Sequence, residues 1–458
     1  MRIVCPGYRD PLEELFRDES AAVTKRAEKS YTTSSSSKRD RKIDKRNALS
    51  SPYIKGASGT PQSTSLEVPQ PSLSQPIEHV ALAHFMSSYV PGSHFVYLPE
   101  LYSLGGEDTA LPATVQAASL ARLAWELGQQ ELMQQARHAY TRALAQTNTA
   151  LSKPTAATSD AVLVSVLLLS LYESIVWADA GTPSNWNKHT QGALALIRIR
   201  GKKQLDTVIG RQLFTQVANI ICVDSLRSGI RLSSDLLDLQ TAALEYSYEC
   251  PRFAMSSSTG ELVTFLAEIS EGHLTPLEVI AMTHKLEAKY VAIVSSLPAP
   301  WQYDEEVVEP QGVRPDMYGK TKHRYHSNGA AQLWNSYRMT RIFLNGIRHG
   351  HARYLRLADN DSLLAQAVQT ARQMAADICA TVPQFADPKH FSVSSAATLL
   401  WPLSIIRSAD LVGDDFRNYA EERLKFLGRE LRITQAERVA GRREVNAMND
   451  GLHMFYLS

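Results

Sequence analysis

His323 and His326 stand three residues apart, a spacing shared by some metal-ligand pairs, beside the cationic run Lys320-Thr321-Lys322-His323-Arg324. A metal site needs further cysteine, histidine or carboxylate donors at set spacings, and none is placed to complete this one. Asp359-Asn360-Asp361 and Asp414-Asp415 come nearest to the aspartate-rich metal motifs of all-α isoprenoid enzymes. Neither has the required continuation, and solvated turn and cap roles account for both. The sequence holds no glycine-rich phosphate loop of either common spacing and no Gly-x-Ser-x-Gly nucleophile elbow. No catalytic residue is assigned, and the chain is not expected to be an enzyme.

The polar residues with the most regular setting are those of Trp186-Asn187-Lys188-His189-Thr190-Gln191-Gly192-Ala193, followed by Leu196-Ile197-Arg198-Ile199-Arg200-Gly201. His189, Ala193, Leu196 and Arg200 are spaced four, three and four apart, which puts them on one face of a helix. Gly192 lets a neighbouring helix approach closely, and Gly201 suits the left-handed conformation that closes a helix. Lys202 and Lys203 lie near the negative end of that helix dipole. The spacing describes a tightly packed, capped helix with a histidine and an arginine for polar contacts. His189 is read as a packed, hydrogen-bonded residue and not as a catalytic base.

These residues need a helical frame, and apolar periodicity supplies one. Apolar positions recur at helical spacing in 77–90, 110–128, 131–151, 160–178, 186–200, 206–231, 276–296, 329–348, 362–381, 395–409 and 415–432. Proline and glycine punctuate the intervals, at Pro91-Gly92, Pro154, Gly201, Pro298, Pro383 and Gly413 among others. The fold class expected is all-α: a large multi-helix domain over 77–458, with residues 301–326 as a polar surface loop. The strand–helix alternation of a nucleotide-binding sheet is missing. With 44% apolar residues in 458, a substantial core is expected. Val162–Val176 is the strongest apolar run, yet it is shorter than a membrane span and contains Glu173, so it reads as a buried core helix.

The first 76 residues differ in kind. Residues 1–55 carry 13 Lys/Arg against 8 Asp/Glu, a net of +5 on a chain whose formal net charge is +1. Asp10-Pro11-Leu12-Glu13 is a helix start by its cap, first-turn proline and acidic reach-back, and predicts a short amphipathic helix within 1–30. Over 31–76 the composition turns to Ser, Pro and Gln, a disordered linker that cannot bury enough surface to offset its chain entropy. Lys38, Arg39, Arg41, Lys42, Lys45 and Arg46 place six cations in nine residues, as a nuclear import signal or a phosphate-contacting arm would. A solvated charge cluster is the alternative. Four scattered cysteines make no disulfide framework and suit a reducing compartment.

Cys5-Pro6-Gly7-Tyr8-Arg9-Asp10 resembles the segment that leaves the binuclear zinc cluster of fungal transcription factors, where six cysteines share two zinc ions. The Trp186, His189, Gly192, Arg200 and Gly201 pattern resembles the regulatory domain of the same family. So do, in order, His84-Phe85-Met86, Tyr97-Leu98-Pro99, Leu168–Glu173, Leu297-Pro298 with Trp301, Trp334-Asn335 with Tyr337-Arg338, Leu400-Trp401-Pro402-Leu403 and Ile433–Glu437. The resemblance implies an all-helical regulatory domain, regulation of RNA polymerase II transcription, and a nuclear location. DNA is implied as partner if the cluster stands upstream, together with co-regulators or related regulators, as a homo- or hetero-dimer, and no membrane. Cys5 would be a zinc ligand only with the five other cysteines upstream. As given, the chain is expected to bind no cofactor, with Cys5 a free thiol, because each zinc takes four ligands. A premature start in the gene model and a genuine loss of the cluster both remain open. A second reading makes the chain a helical scaffold that pairs with intact relatives and modulates them without binding DNA.

Overall fold

The computed structural model describes residues 75–104, 110–176, 184–309, 316–355, 360–385, 393–431 and 433–441. Cys5, the short amphipathic helix expected over 11–29, the basic run and the linker up to residue 74 lie outside them, as does Asp359.

Helix α1 (Ile77–His84) runs on through a π turn, Phe85–Tyr89, and a 3-10 turn, Val90–Gly92. Then come α2 (Leu98–Leu104), α3 (Leu111–Leu127), α4 (Gln130–Leu151), α5 (Asp160–Val176) and α6 (Ser184–Arg200). The 3-10 segment Gly201–Asp206 leads to α7 (Val208–Ser228), α8 (Ser234–Ala243), α9 (Arg252–Ser270) and α10 (Pro276–Ser295). A two-stranded antiparallel hairpin, β1 (Tyr303–Val307) and β2 (Thr321–Tyr325), precedes α11 (Asn328–Leu355) and α12 (Asn360–Phe385). Short α13 (Val393–Ala397), then α14 (Leu400–Ser408), α15 (Asp414–Glu430) and α16 (Thr434–Gly441) are the last of the described elements. The all-α class expected from the periodicity holds.

Sequence chemistry explains the boundaries that matter here. Pro276 sits at the first position of α10 behind Thr275, whose hydroxyl accepts from the Glu278 amide while Glu278 accepts from the Thr275 amide, a reciprocal cap. Thr207 Oγ1 likewise accepts from the Gly210 amide at the start of α7. Helix α5 is apolar on all sides and is buried without a break from Val162 to Ile175, so it forms the central rod of its half. Helices α3, α4, α6 and α7 pack around it. Among the described residues no helix is long and apolar enough to cross a membrane.

Two apolar cores result. The first runs from Ala81 in α1 to Phe253 and Val263 in α9. The second runs from Met255, Leu262 and Phe265, also in α9, to Ala440 in α16. Helix α9 is therefore the seam: it gives one face to each core, with α7 and α8 on one side and α10 on the other. Leu226 and Trp401 also pack against both.

Two expectations need correcting. The region 301–326 is not an irregular loop, since β1 and β2 pair in register from Tyr303 with Tyr325 to Val307 with Thr321. Its inward residues alternate, but they are Tyr303, His323 and Tyr325, so the period of two is written in aromatic and polar groups. Pro383 does not break its helix. It sits two residues from the end of α12, where the hydrogen bond it forgoes is one of the last. Helix α9 went unread for a related reason. Ser256-Ser257-Ser258-Thr259-Gly260 interrupts its apolar rhythm, yet Ser256 and Ser258 are buried, and Gln240 Nε2 donates to Ser256 O at 3.0 Å and Oγ at 3.2 Å.

Candidate functional site

The signature helix α6 packs against α5 and α7. Its His189 is half-buried, with Nε2 3.4 Å from Tyr140 Oη on α4. Tyr140 Oη donates to Glu173 Oε1 at 2.6 Å, and Glu173 is only 2% exposed in the middle of apolar α5. The Tyr140 and Tyr172 rings stack beside it with centroids 4.2 Å apart. Burial, then the neighbouring Glu173 charge, raises the Tyr172 phenol above its ordinary value, with Arg137 opposing. Three helices thus meet at a carboxylate–phenol–imidazole chain.

The same helix ends in a polar lock. Arg200 Nη2 bonds to Asp160 Oδ1 at the start of α5, tying the last residue of one helix to the first of the other. Gly201 has φ +56°, the left-handed conformation that the end of α6 requires. Gln204 Nε2 then donates to the carbonyls of Ile197 at 3.0 Å and Gly201 at 2.7 Å, groups that a helix end leaves without partners. Gly192 is buried on α6. Trp186 lies in the first turn of that helix. Each member of the motif that is described with its side chain serves packing or closure.

Sequence reading missed the buried charges of the second half, because isolated arginines in a helical pattern look like solvated surface cations. Arg338 is 0% exposed. Its Nη1 donates to Tyr325 Oη, Thr381 Oγ1 (3.1 Å) and Asn335 Oδ1 (3.2 Å), and its Nη2 lies 3.1 Å from His323 Nδ1. Tyr303, Trp334 and Tyr325 set their rings 5.1, 5.5 and 5.9 Å from the guanidinium carbon, an aromatic box in which cation–π attraction replaces hydration. Burial, then the Arg338 charge, lowers His323 to about 3, so the imidazole is neutral and accepts through Nδ1. His323 therefore turns Nδ1 to Arg338 inside the packed hairpin, and His326 beside it is exposed. On α10, burial would raise Glu287, but hydrogen bonds from Arg348 and Arg341 hold its carboxyl below the ordinary range.

Among the described residues no three His, Cys, Asp or Glu side chains group as a metal site. Asp414 pairs with Arg417, and Asp415 with Arg372. Open cavities of about 690 Å³, beside Val368, Arg372 and Phe416, and about 350 Å³, beside His79, Tyr102 and Arg142, include neither the His189 chain nor the Arg338 box.

Residues 82–233 match the family model of the fungal specific transcription factor domain. This stretch runs from α1 to the threshold of α8, covers about a third of the chain, and contains Trp186, His189, Gly192, Arg200 and Gly201. The fragments from Leu297 onward fall beyond the matched residues. No curated protein matches the chain, and neither does any solved structure.

Proposed function

We propose that this chain is a transcriptional regulator of the fungal type, acting in the nucleus on RNA polymerase II transcription through its helical domain. The match over residues 82–233 carries this reading. The chemistry of the signature supports it. His189, Arg200 and Gly201 close and lock a helix, as expected of a domain that transmits or restrains a signal by packing.

In this reading Lys38, Arg39, Arg41, Lys42, Lys45 and Arg46 direct nuclear import, and Cys5 binds zinc only as the last ligand of a cluster whose other cysteines precede it. The helical domain meets co-regulators or related regulators, and DNA is reached through such a cluster. Tethering the chain to a heterologous DNA-binding domain tests this directly. Reporter transcription should change at least several-fold, in either direction, relative to the tether alone. An unchanged reporter, with the fusion present in the nucleus, refutes the reading. Replacing the six cations by alanine should shift a fluorescent fusion from nucleus to cytoplasm.

A further inference from the structure

The hairpin keeps one strand edge covered and leaves the other bare. Val308 N donates to Lys320 O at 2.7 Å, next to the register pair Val307 and Thr321. Bonded and non-bonded pairs alternate along an antiparallel ladder, so Glu306 with Lys322 and Asp304 with Arg324 are bonded pairs inside it. The backbone N–H and C=O groups of Tyr303, Glu305 and Val307 on β1 therefore point outward, as do those of Thr321, His323 and Tyr325 on β2. Helix α12 covers the β2 edge at Tyr325. Tyr325 N donates to Gln384 Oε1 at 2.7 Å, and Gln384 Nε2 donates to Tyr325 O at 3.0 Å, so a side-chain amide stands in for a neighbouring strand. On β1 the outward backbone groups meet no partner among the described residues.

Charge says what suits that edge. Strand β1 is exposed from Asp304 to Val307, and Asp304, Glu305, Glu306 and Glu309 line it and its exit. Among the described residues only Glu306 of these has an ion pair, with Lys322 Nζ at 3.1 Å. Glu305 stands opposite His323, whose Nδ1 faces Arg338. The hairpin's cations Lys320, Lys322 and Arg324 lie on β2 or lead into it, away from the bare edge. An added strand would have β1 as its neighbour, and like charges set directly opposite destabilise such a pair while opposite charges stabilise it. A second copy of β1 would set carboxylate against carboxylate, the usual way an edge is protected from its own kind. A cationic extended segment meets the reverse. This chain carries one in Lys38–Arg46, with six cations in nine residues. Residues 47–74 lie between it and the described domain, enough chain to span tens of ångströms.

We propose that the bare edge of β1 takes the chain's own basic run, Lys38–Arg46, as an added strand. Main-chain hydrogen bonds to Tyr303, Glu305 and Val307 hold the segment, and Asp304, Glu305 and Glu309 select it by charge. While seated there, the six cations are withheld from any other partner. The contact is independent of whether those cations direct import.

Trypsin digestion of the native full chain reads the contact, because cleavage follows the population of the open form. The rate at the six cations is taken relative to that at Lys25 and Lys55, with a synthetic peptide of residues 20–60 as the undocked reference. This ratio should be roughly five-fold lower in the full chain than in the peptide. Val307→Pro removes an outward N–H that β2 does not use, a change that edge strands accept. Asp304→Asn combined with Glu305→Gln removes charge and keeps the backbone. Both should return the ratio to the peptide's value. If Val307→Pro lowers the thermal unfolding midpoint, the charge variant is read in its place. A full-chain ratio equal to the peptide's overturns the proposal, as does undiminished protection in either folded variant. Protection that rises with protein concentration also overturns it, because it places the run on a second copy.

Discussion

Gly201 carries the clearest consequence at the scale of single residues. Its φ is +56° and open space surrounds the position of a Cβ, so Gly201→Ala meets backbone strain alone. The cost should be about 1 kcal/mol in chemical denaturation, the penalty of an L side chain in the left-handed region. Tyr140→Phe removes a hydroxyl from the buried Glu173 carboxylate and should cost about 1–3 kcal/mol by the same measurement. His323 makes a pH prediction. Its ordinary value is 6.5 and its folded value about 3, so below pH 6.5 the unfolded chain binds a proton that the folded chain refuses. The stability it confers is complete above pH 6.5. It then declines by about 1.4 kcal/mol per pH unit as the pH falls toward 3. Stability measured by denaturation should fall at least this steeply between pH 6.5 and 4, because His94 is depressed in the same way, and His323→Gln should make the decline shallower by about 1.4 kcal/mol per pH unit. The spacing of His189, Ala193, Leu196 and Arg200 was enough to place them on one helix face. The bonding of Arg338, Arg348 and Arg252 was illegible, because a cation's partners come from segments up to 80 residues away in sequence.

At the scale of elements, local signals and tertiary signals separate. Pro276 behind Thr275, with Glu278 three residues on, marks a helix start from sequence alone. Thr275→Ala should cost about 1 kcal/mol, measured as a fall in the unfolding midpoint. The long apolar rhythm of α5 was equally plain, because a rod buried on all sides must be apolar on all sides. The hairpin and α9 obey tertiary demands instead. Strand β2 alternates inward residues only because Arg338 and α12 lie beneath it. The serines of α9 are tolerable inside a helix because Gln240 reaches the Ser256 carbonyl and hydroxyl across the gap from α8.

For the whole molecule, one helix shared by two cores has a thermodynamic consequence. Phe253 and Val263 of α9 belong to the first core, and Met255, Leu262 and Phe265 to the second, so neither core can melt without exposing part of the other. Calorimetry should show a single transition, with the calorimetric and van't Hoff enthalpies in agreement. Phe265→Ala should lower that transition as a whole, by about 3–5 kcal/mol of stability. Two resolved transitions, only one of them sensitive to Phe265, would contradict the shared seam.

The sequence by itself determined the helical class, most helix boundaries and the capped helix that carries His189 and Gly201, because these depend on periodicity and on residues a few positions apart. Only the tertiary structure decided that the chain builds two cores on α9, that a hairpin roofs Arg338, and that Arg252 at the start of α9 reaches Gln332 on α11. Those outcomes depend on which distant segments come together, and pairings of that range leave no period in the chain to read.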